Sequence, residues 1–142
     1  MPDNDERHDR NQKIIDEFRA NAGHVGGPFE NVTLLLLHTT GAKSGAERVN
    51  PLAYQQVGDA VAVFGSKGGA PETPDWVFNV KANPNVTVEI GTETHDLVGR
   101  IAEGDERERI WEAQKRAVPG FADYEKRTTR TIPVVVLEPA AD

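Results

Sequence analysis

The chain has 142 residues and no cysteine, and its 16 lysines and arginines against 23 aspartates and glutamates give a net charge of −7. This length is typical of one domain. The acidic balance argues against nucleic acid as a partner, and the lack of cysteine excludes disulfides, thiolate metal sites and a cysteine nucleophile. We expect a cytoplasmic protein, because the charged N-terminal segment has no secretory signal and the apolar run VTLLLL is too short to cross a bilayer.

The predicted elements follow in chain order as strands interrupted by helices. Residues 10–21 place Ile14, Ile15 and Phe18 on one stripe of an amphipathic helix. Apolar or alternating segments then predict six strands, at 32–40, 47–57, 60–66, 85–90, 94–103 and 131–139. Further helices are predicted at 73–83 and 105–117, and a loop or short helix at 119–130.

This order does not alternate strand and helix, so a doubly wound sheet is disfavoured. We expect a mainly β domain with peripheral helices (α+β), in which about six antiparallel strands form a small barrel. The chain is interpreted as a single domain, with an N-terminal helix and linker at 1–28 and the barrel at 29–142.

Two short loops carry glycine, lysine and serine directly after apolar strands. The first is GAKSG at 41–45, followed by Arg48, and the second is GSKGG at 65–69, which precedes a helix start with Thr73 as a suitable N-cap. Backbone N–H groups of such loops, a helix N-terminus, and lysine and arginine side chains can all bind an anion. Residues 41–81 carry four basic and four acidic side chains between acidic flanks, so an anion meets least repulsion there. The alternative is two ordinary solvated connections.

The residues show no catalytic set of their own. The four histidines lack the spacing of metal ligands, and no metal site is predicted. No serine-hydrolase motif occurs, and the carboxylates lie on helix faces. An enzyme with this sequence would therefore need a cofactor for its reactivity.

Three segments closely resemble the deazaflavin-dependent nitroreductase family of actinobacteria: TTGAKSGAERVNPL, SKGGAPETPDWVFNVKANPNVTVEI and TRTIPVVVLEP. The resemblance runs in order and with matching spacing over residues 30–140. It implies a split β-barrel of the FMN-binding, pyridoxamine-phosphate-oxidase-like type. It also implies coenzyme F-420, an 8-hydroxy-5-deazaflavin with a phospholactyl and polyglutamate tail. The implied reaction is hydride transfer from the reduced deazaflavin to a quinone, an activated double bond or a nitro compound.

The resemblance also implies which residues form the site. Those expected to bind the cofactor are Ala42, Lys43, Ser44, Arg48, Val49, Asn50, Pro51, Leu52, Ala53, Phe64, Gly65, Ser66, Lys67, Asp75, Trp76, Val77, Phe78, Asn79 and, as an apolar lid, Phe121. Ser66 and Tyr124 are the catalytic candidates, for hydrogen-bonding the acceptor or relaying a proton. Family members that reduce nitro compounds carry tyrosines where this chain has Ala53, Val118 and Phe121. We therefore expect a quinone to be reduced faster than a nitroimidazole.

Two other functions stay open at this point: an FMN-binding reductase on the same fold, and a non-catalytic module that binds or stores the deazaflavin. A homodimer is compatible with the barrel, because a shallow barrel face gives a ligand only half a pocket. Weak peripheral contact of the N-terminal helix with the inner face of a membrane also stays open, although its mixed charges disfavour adsorption to anionic lipid.

Overall fold

The computed structural model describes the backbone of residues 2–26, 33–42, 44–66 and 73–139, and side chains within these ranges from residue 11 onward. The elements in chain order are α1 (Pro2–Ala20), β1 (Leu34–Thr40), β2 (Glu47–Val57), β3 (Ala60–Phe64), α2 (Asp75–Ala82), β4 (Asn85–Ile90), β5 (Glu93–Ile101), α3 (Gly104–Ala117), α4 (Gly120–Arg127) and β6 (Val134–Pro139). The strands form a closed antiparallel barrel in the order β1-β2-β3-β6-β5-β4. The prediction of a six-stranded antiparallel barrel with peripheral helices is confirmed.

Strand β1 is buried on both of its faces, toward the barrel interior and toward α1. This explains its continuous apolar run. Because side chains alternate along a strand, Leu35 and Leu37 lie in the interior cluster, whereas Leu34 and Leu36 pack outward beneath α1. All four are buried. A strand buried on both faces shows no alternating pattern in its sequence.

Helix α2 packs across the end of the barrel at which β1 ends and β4 begins. Its Val77 and Val80 are buried in the same cluster as the barrel interior. Gly99 on β5 permits the close approach, since a Cβ atom there would lie 2.5 Å from Cγ1 of Val80. The helix has Pro74 as its N-cap, with an extended ψ of 147°. The predicted N-cap, Thr73, is therefore one residue too early.

Helix α1 is attached to the outside of the barrel by apolar and ionic contacts. Ile15 and Phe18 are buried against β1. Arg19 donates two hydrogen bonds to the carboxylate of Glu89 on β4, from Nε to Oε1 at 3.1 Å and from Nη2 to Oε2 at 2.7 Å. These bonds from Arg19, opposed by burial and assisted by Nε2 of His38 at 2.6 Å, hold the pKa of Glu89 below its ordinary value.

Helices α3 and α4 cover the outer faces of β3 and β6, where Ile110, Trp111 and Phe121 are buried against strand side chains. The segment 119–130, predicted as a loop or short helix, contains helix α4. In the described ranges, no helix has the length and apolarity needed to cross a membrane.

Candidate cofactor site

Strand β2 has two different neighbours along its length. Residues 47–53 pair with β1, from Thr40↔Glu47 to Leu34↔Ala53, whereas pairing with β3 begins at Tyr54↔Val63. On the side away from β1, residues 47–53 therefore have no strand partner in the described part of the chain. We call this the open edge of β2, and at a rise of about 3.3 Å per residue it is about 20 Å long.

The open edge presents the backbone groups of alternate residues. The N–H of Tyr54 donates to the carbonyl of Thr33, on the β1 side, at 3.2 Å. Since these directions alternate along a strand, residues 49, 51 and 53 direct their backbone groups away from β1. Proline has no N–H, and the carbonyl of Ala53 flanks the pair Tyr54↔Val63 and faces the N–H of Phe64. The edge therefore offers the N–H groups of Val49 and Ala53 and the carbonyls of Val49 and Pro51. Such an edge can hydrogen-bond a planar heterocycle that carries donors and acceptors.

The loop at residues 41–46 uses most of its backbone donors within the protein. Four N–H groups have acceptors: Gly41 to the carbonyl of Ala46 at 2.7 Å, Ala42 to Oδ1 of Asn79 at 2.9 Å, Gly45 to the carbonyl of Gly41 at 2.9 Å, and Ala46 to Oγ of Ser44 at 3.2 Å. The anion nest expected from the sequence does not form from these four groups, because their hydrogens are already engaged. An anion at this loop would therefore be bound mainly by side chains.

The side chains around this loop are polar and exposed. Ser44 and Arg48 are exposed, and Arg48 makes no ion pair within the described residues. Gly41 allows the loop to close, because a Cβ atom on it would lie 2.6 Å from Oγ of Ser44. Lys43, predicted as a tail contact, lies outside the described residues, as does Lys67 in the second loop.

The end of β3 lies near Ala53, the last residue of the open edge. Hydrogen bonds with the segment before β6 hold it there. Ser66 is buried, with 7% of its surface exposed. Nη2 of Arg130 donates to the carbonyl of Ser66 at 3.0 Å, and the N–H of Gly65 donates to the carbonyl of Pro133 at 2.9 Å. Because Val63 pairs with Tyr54, Ser66 follows β3 at the level where β2 loses its second neighbour. Ser66 therefore lies two residues beyond the end of β3, close in the chain to the last pair between β3 and β2.

The start of α2 contributes less surface than the resemblance implies. Trp76 and Val77 are buried in the interior cluster of the barrel, so their side chains pack in the core, and their contact with the cofactor stays a prediction. Asp75 is exposed, and Phe78 is 50% exposed. The buried carboxamide of Asn79 is engaged by protein groups, as its bond to Ala42 shows.

Phe121 lies in an aromatic cluster beside α3 and α4. Its side chain is 7% exposed, and its ring lies 5.5 Å from that of Phe64, 6.1 Å from that of Trp111 and 5.2 Å from that of Tyr124. The ring is therefore packed among aromatic side chains, and its role as a cover over the acceptor stays a prediction. Tyr124 is only part-buried, and its hydroxyl has no hydrogen-bond partner among the described residues.

The positions at which the chain lacks the family's extra tyrosines share one region. Ala53 packs against both the α1 cluster and the α3–α4 cluster, and Val118 packs against the latter. Tyr124 borders the same cluster. The outer surface beside the end of β3 is therefore apolar, with one tyrosine hydroxyl at its margin.

Two positioning groups escaped sequence reasoning. Arg130 lies in the TRTIP segment, one of those that carry the family resemblance. The segment alone does not reveal that Arg130 donates a hydrogen bond to the carbonyl of Ser66. Glu125 accepts hydrogen bonds from Nε1 of Trp111 at 2.6 Å and from Nζ of Lys115 at 3.0 Å, and so holds α4 against α3. Nothing in the local sequence distinguishes Glu125 from a solvated helix carboxylate.

Comparisons with known proteins identify the family. Residues 10–139 match the profile of the family described as F420H(2)-dependent quinone reductase. A protein of Mycobacterium tuberculosis with the same description is 36% identical over 124 residues, which cover 84% of this chain and 83% of the relative.

Solved structures agree in fold. A structure described as an F420-H2 dependent reductase is 44% identical, covers 74% of this chain and 93% of its own, and superposes with a TM-score of 0.68. One described as a domain-swapped dimer is 38% identical, covers 97% and 100%, and has a TM-score of 0.70. A pyridoxamine 5′-phosphate oxidase-type protein of Listeria innocua, 15% identical over 76% of this chain and 84% of its own with a TM-score of 0.56, shares the fold alone. Since the family profile spans nearly the whole chain, this protein belongs to the family of quinone reductases that depend on reduced coenzyme F-420.

Proposed function

We propose that this protein transfers a hydride from reduced coenzyme F-420 to a quinone, with the deazaflavin ring along the open edge of β2 and the anionic tail at the loop 41–46. The observation that carries the proposal is the half of β2 that has one strand neighbour instead of two. It leaves free backbone donors and acceptors between a hydroxyl at Ser66 and a cation at Arg48.

The described residues fit this cofactor in charge and in hydrogen-bonding groups. A deazaflavin ring carries carbonyl and N–H groups along one edge, and the open edge of β2 offers the N–H groups of Val49 and Ala53 together with carbonyls. The tail carries a phosphate and glutamates, which match the exposed guanidinium of Arg48. When bound, the deazaflavin supplies the hydride.

The residues of the chain hold the reactants and handle the proton. The backbone of β2 would orient the ring, and the bond from Arg130 to the carbonyl of Ser66 supports the backbone that carries the Ser66 hydroxyl. The hydroxyl of Tyr124 is available to an oxygen of the acceptor. The apolar surface at Ala53 and Val118 suits a flat quinone ring, since it lacks the additional hydroxyls that would orient a nitro group.

Parallel titrations test the cofactor. We expect fluorescence quenching to show tighter binding of the deazaflavin than of FMN, and turnover with the reduced deazaflavin to be faster for a quinone than for a bicyclic nitroimidazole. Equal or tighter FMN binding would favour a flavin enzyme instead. Binding without turnover of any acceptor would leave a storage module.

A charge variant tests the placement of the tail. Replacing Arg48 by alanine should weaken binding of the full-length cofactor by about 1–3 kcal/mol, as for other charge-assisted hydrogen bonds. The loss should shrink at high salt, because exposed charges are screened over about 8–10 Å, and it should shrink for a cofactor without the tail. Arg116→Ala, which removes an exposed arginine of α3, is the control. Equal losses for both forms of the cofactor would contradict a tail contact.

We also infer that two copies of the chain associate. Support comes from the relative whose structure is described as a domain-swapped dimer and whose sequence is 38% identical. Sedimentation equilibrium should give a mass near twice that of one chain, and a monomer at every concentration tested would contradict the inference.

A further inference from the structure

We infer that Asn79 is a positioning residue, which fixes the described part of the loop 41–46 so that Ser44 lies where it can meet the anionic tail of the cofactor beside Arg48 on β2. The resemblance assigns Asn79 to direct cofactor contact, whereas its surroundings point to a role through the loop. The inference rests on the proposed function for the identity of the ligand, but its structural half can be tested without any ligand.

The carboxamide of Asn79 joins three parts of the fold. Oδ1 accepts a hydrogen bond from the backbone N–H of Ala42 at 2.9 Å, and Nδ2 donates to Oγ1 of Thr39 at 3.2 Å. A backbone N–H can only donate, so the atom that faces Ala42 must be the carboxamide oxygen. Asn79 is 7% exposed and Thr39 is 2% exposed. Helix α2, the end of β1 and the loop therefore meet at one buried side chain.

The contact with Asn79 differs from the loop's own hydrogen bonds because it joins the loop to another element. The other three N–H groups with known acceptors in residues 41–46 bond within the loop, and these bonds would move with it as a unit. At its two ends the loop is attached to β1 and β2, which pair as far as Thr40↔Glu47. Among the described residues, the bond from Ala42 to Asn79 is the one that holds the loop body to another element.

Helix α2 supplies a fixed reference for this bond. Its buried Val77 and Val80 lie in the barrel interior, where Gly99 allows Val80 a very close approach. A polar side chain on the same helix therefore has a well-defined position relative to the strands. Without Asn79, the loop would be a strand connection tethered at its ends only, and its position over the tail would become variable.

Two measurements on the same variants test the inference. In cofactor-free protein, amide hydrogen exchange in residues 41–46 should be about tenfold faster in Asn79→Ala than in wild type, because a local opening is no longer opposed by the bond. In titrations, Asn79→Ala should bind the full-length deazaflavin about tenfold more weakly, and the tail-less deazaflavin less than about threefold more weakly.

Variants of Thr39 supply a graded series. Thr39→Val keeps the size of the side chain but removes the acceptor for Nδ2, so it should show a smaller loss in the same direction. Thr39→Ser keeps the hydroxyl and should restore behaviour close to wild type. If Asn79→Ala does not fold, the comparison of Thr39→Val with Thr39→Ser tests the inference in its place.

The control is Gln114→Ala, which removes another buried carboxamide, 3% exposed, whose Oε1 accepts from Gln55 and does not touch the loop. It should affect both forms of the cofactor equally and leave exchange in 41–46 unchanged. The inference would be overturned if Asn79→Ala lost equal affinity for the full-length and the tail-less cofactor. Unchanged amide hydrogen exchange in residues 41–46 would overturn it too. If wild type binds no deazaflavin, the proposed function fails, and exchange alone still decides whether Asn79 fixes the loop.

Discussion

Replacing Gly99 by alanine tests how closely α2 is seated on the barrel. The added Cβ would lie 2.5 Å from Cγ1 of Val80 and 3.2 Å from Cδ2 of Leu137. Carbon atoms normally approach to about 3.5–4.0 Å, so the contact with Val80 is about 1 Å too short. Val80 cannot turn away, because valine has one strongly preferred rotamer in a helix and its side chain is 1% exposed. Helix α2 must therefore move, and we expect the free energy of unfolding to fall by about 1–3 kcal/mol.

Urea unfolding followed by tryptophan fluorescence measures this loss, since Trp76 lies on α2 and Trp111 on α3. Gly120→Ala is the matched control, because a Cβ at that position meets nothing within 4 Å; it should leave stability unchanged or raise it slightly. Adding Val80→Ala should make the double variant less destabilised than the sum of the two single changes. A Gly99→Ala protein within about 0.5 kcal/mol of wild type would refute the packing argument.

Three further changes have defined outcomes. Phe121→Ala should lower the free energy of unfolding by about 3–5 kcal/mol in the same urea assay, because its ring is packed among other aromatic rings; a stable variant with altered acceptor preference would support a lid after all. Tyr124→Phe should keep stability within about 0.5 kcal/mol and slow quinone reduction in single-turnover measurements, and an unchanged rate would remove its hydroxyl from the reaction. Arg19→Ala should cost about 0.2–1 kcal/mol of stability near neutral pH. Because Arg19 holds the pKa of Glu89 low, this difference should vanish as the pH falls through the folded-state pKa of Glu89, and a difference that persists in acid would disprove the ionic origin.

Local patterns predicted the strands well, because each strand is specified by its own side chains. The predicted bounds of 47–57 for β2 agree with the structure. The change of neighbour between Ala53 and Tyr54 could not be predicted in the same way. It depends on where β1 begins and β3 ends relative to β2, which is a property of the assembled sheet.

The site shows the same division between local and assembled properties. The sequence located the loop 41–46 and the end of β3, but it could not separate apolar side chains that meet a ligand from those that meet the core. Trp76, Val77 and Phe121, all expected at the cofactor, are buried among core side chains. The partner of Asn79 lies 37 positions away at Ala42, so no local motif reveals the hydrogen bond.

The open edge of β2 also bears on whether the protein aggregates when no cofactor is bound. An unpaired strand edge invites pairing with the strands of other chains and hence aggregation. Here Pro51 removes a donor in the middle of the edge, and Glu47 and Arg48 place opposite charges at one end of it. An incoming strand would meet a broken ladder, whereas a planar ligand needs only a few of the remaining groups. Pro51 and the two charges therefore disfavour aggregation through this edge when no ligand covers it.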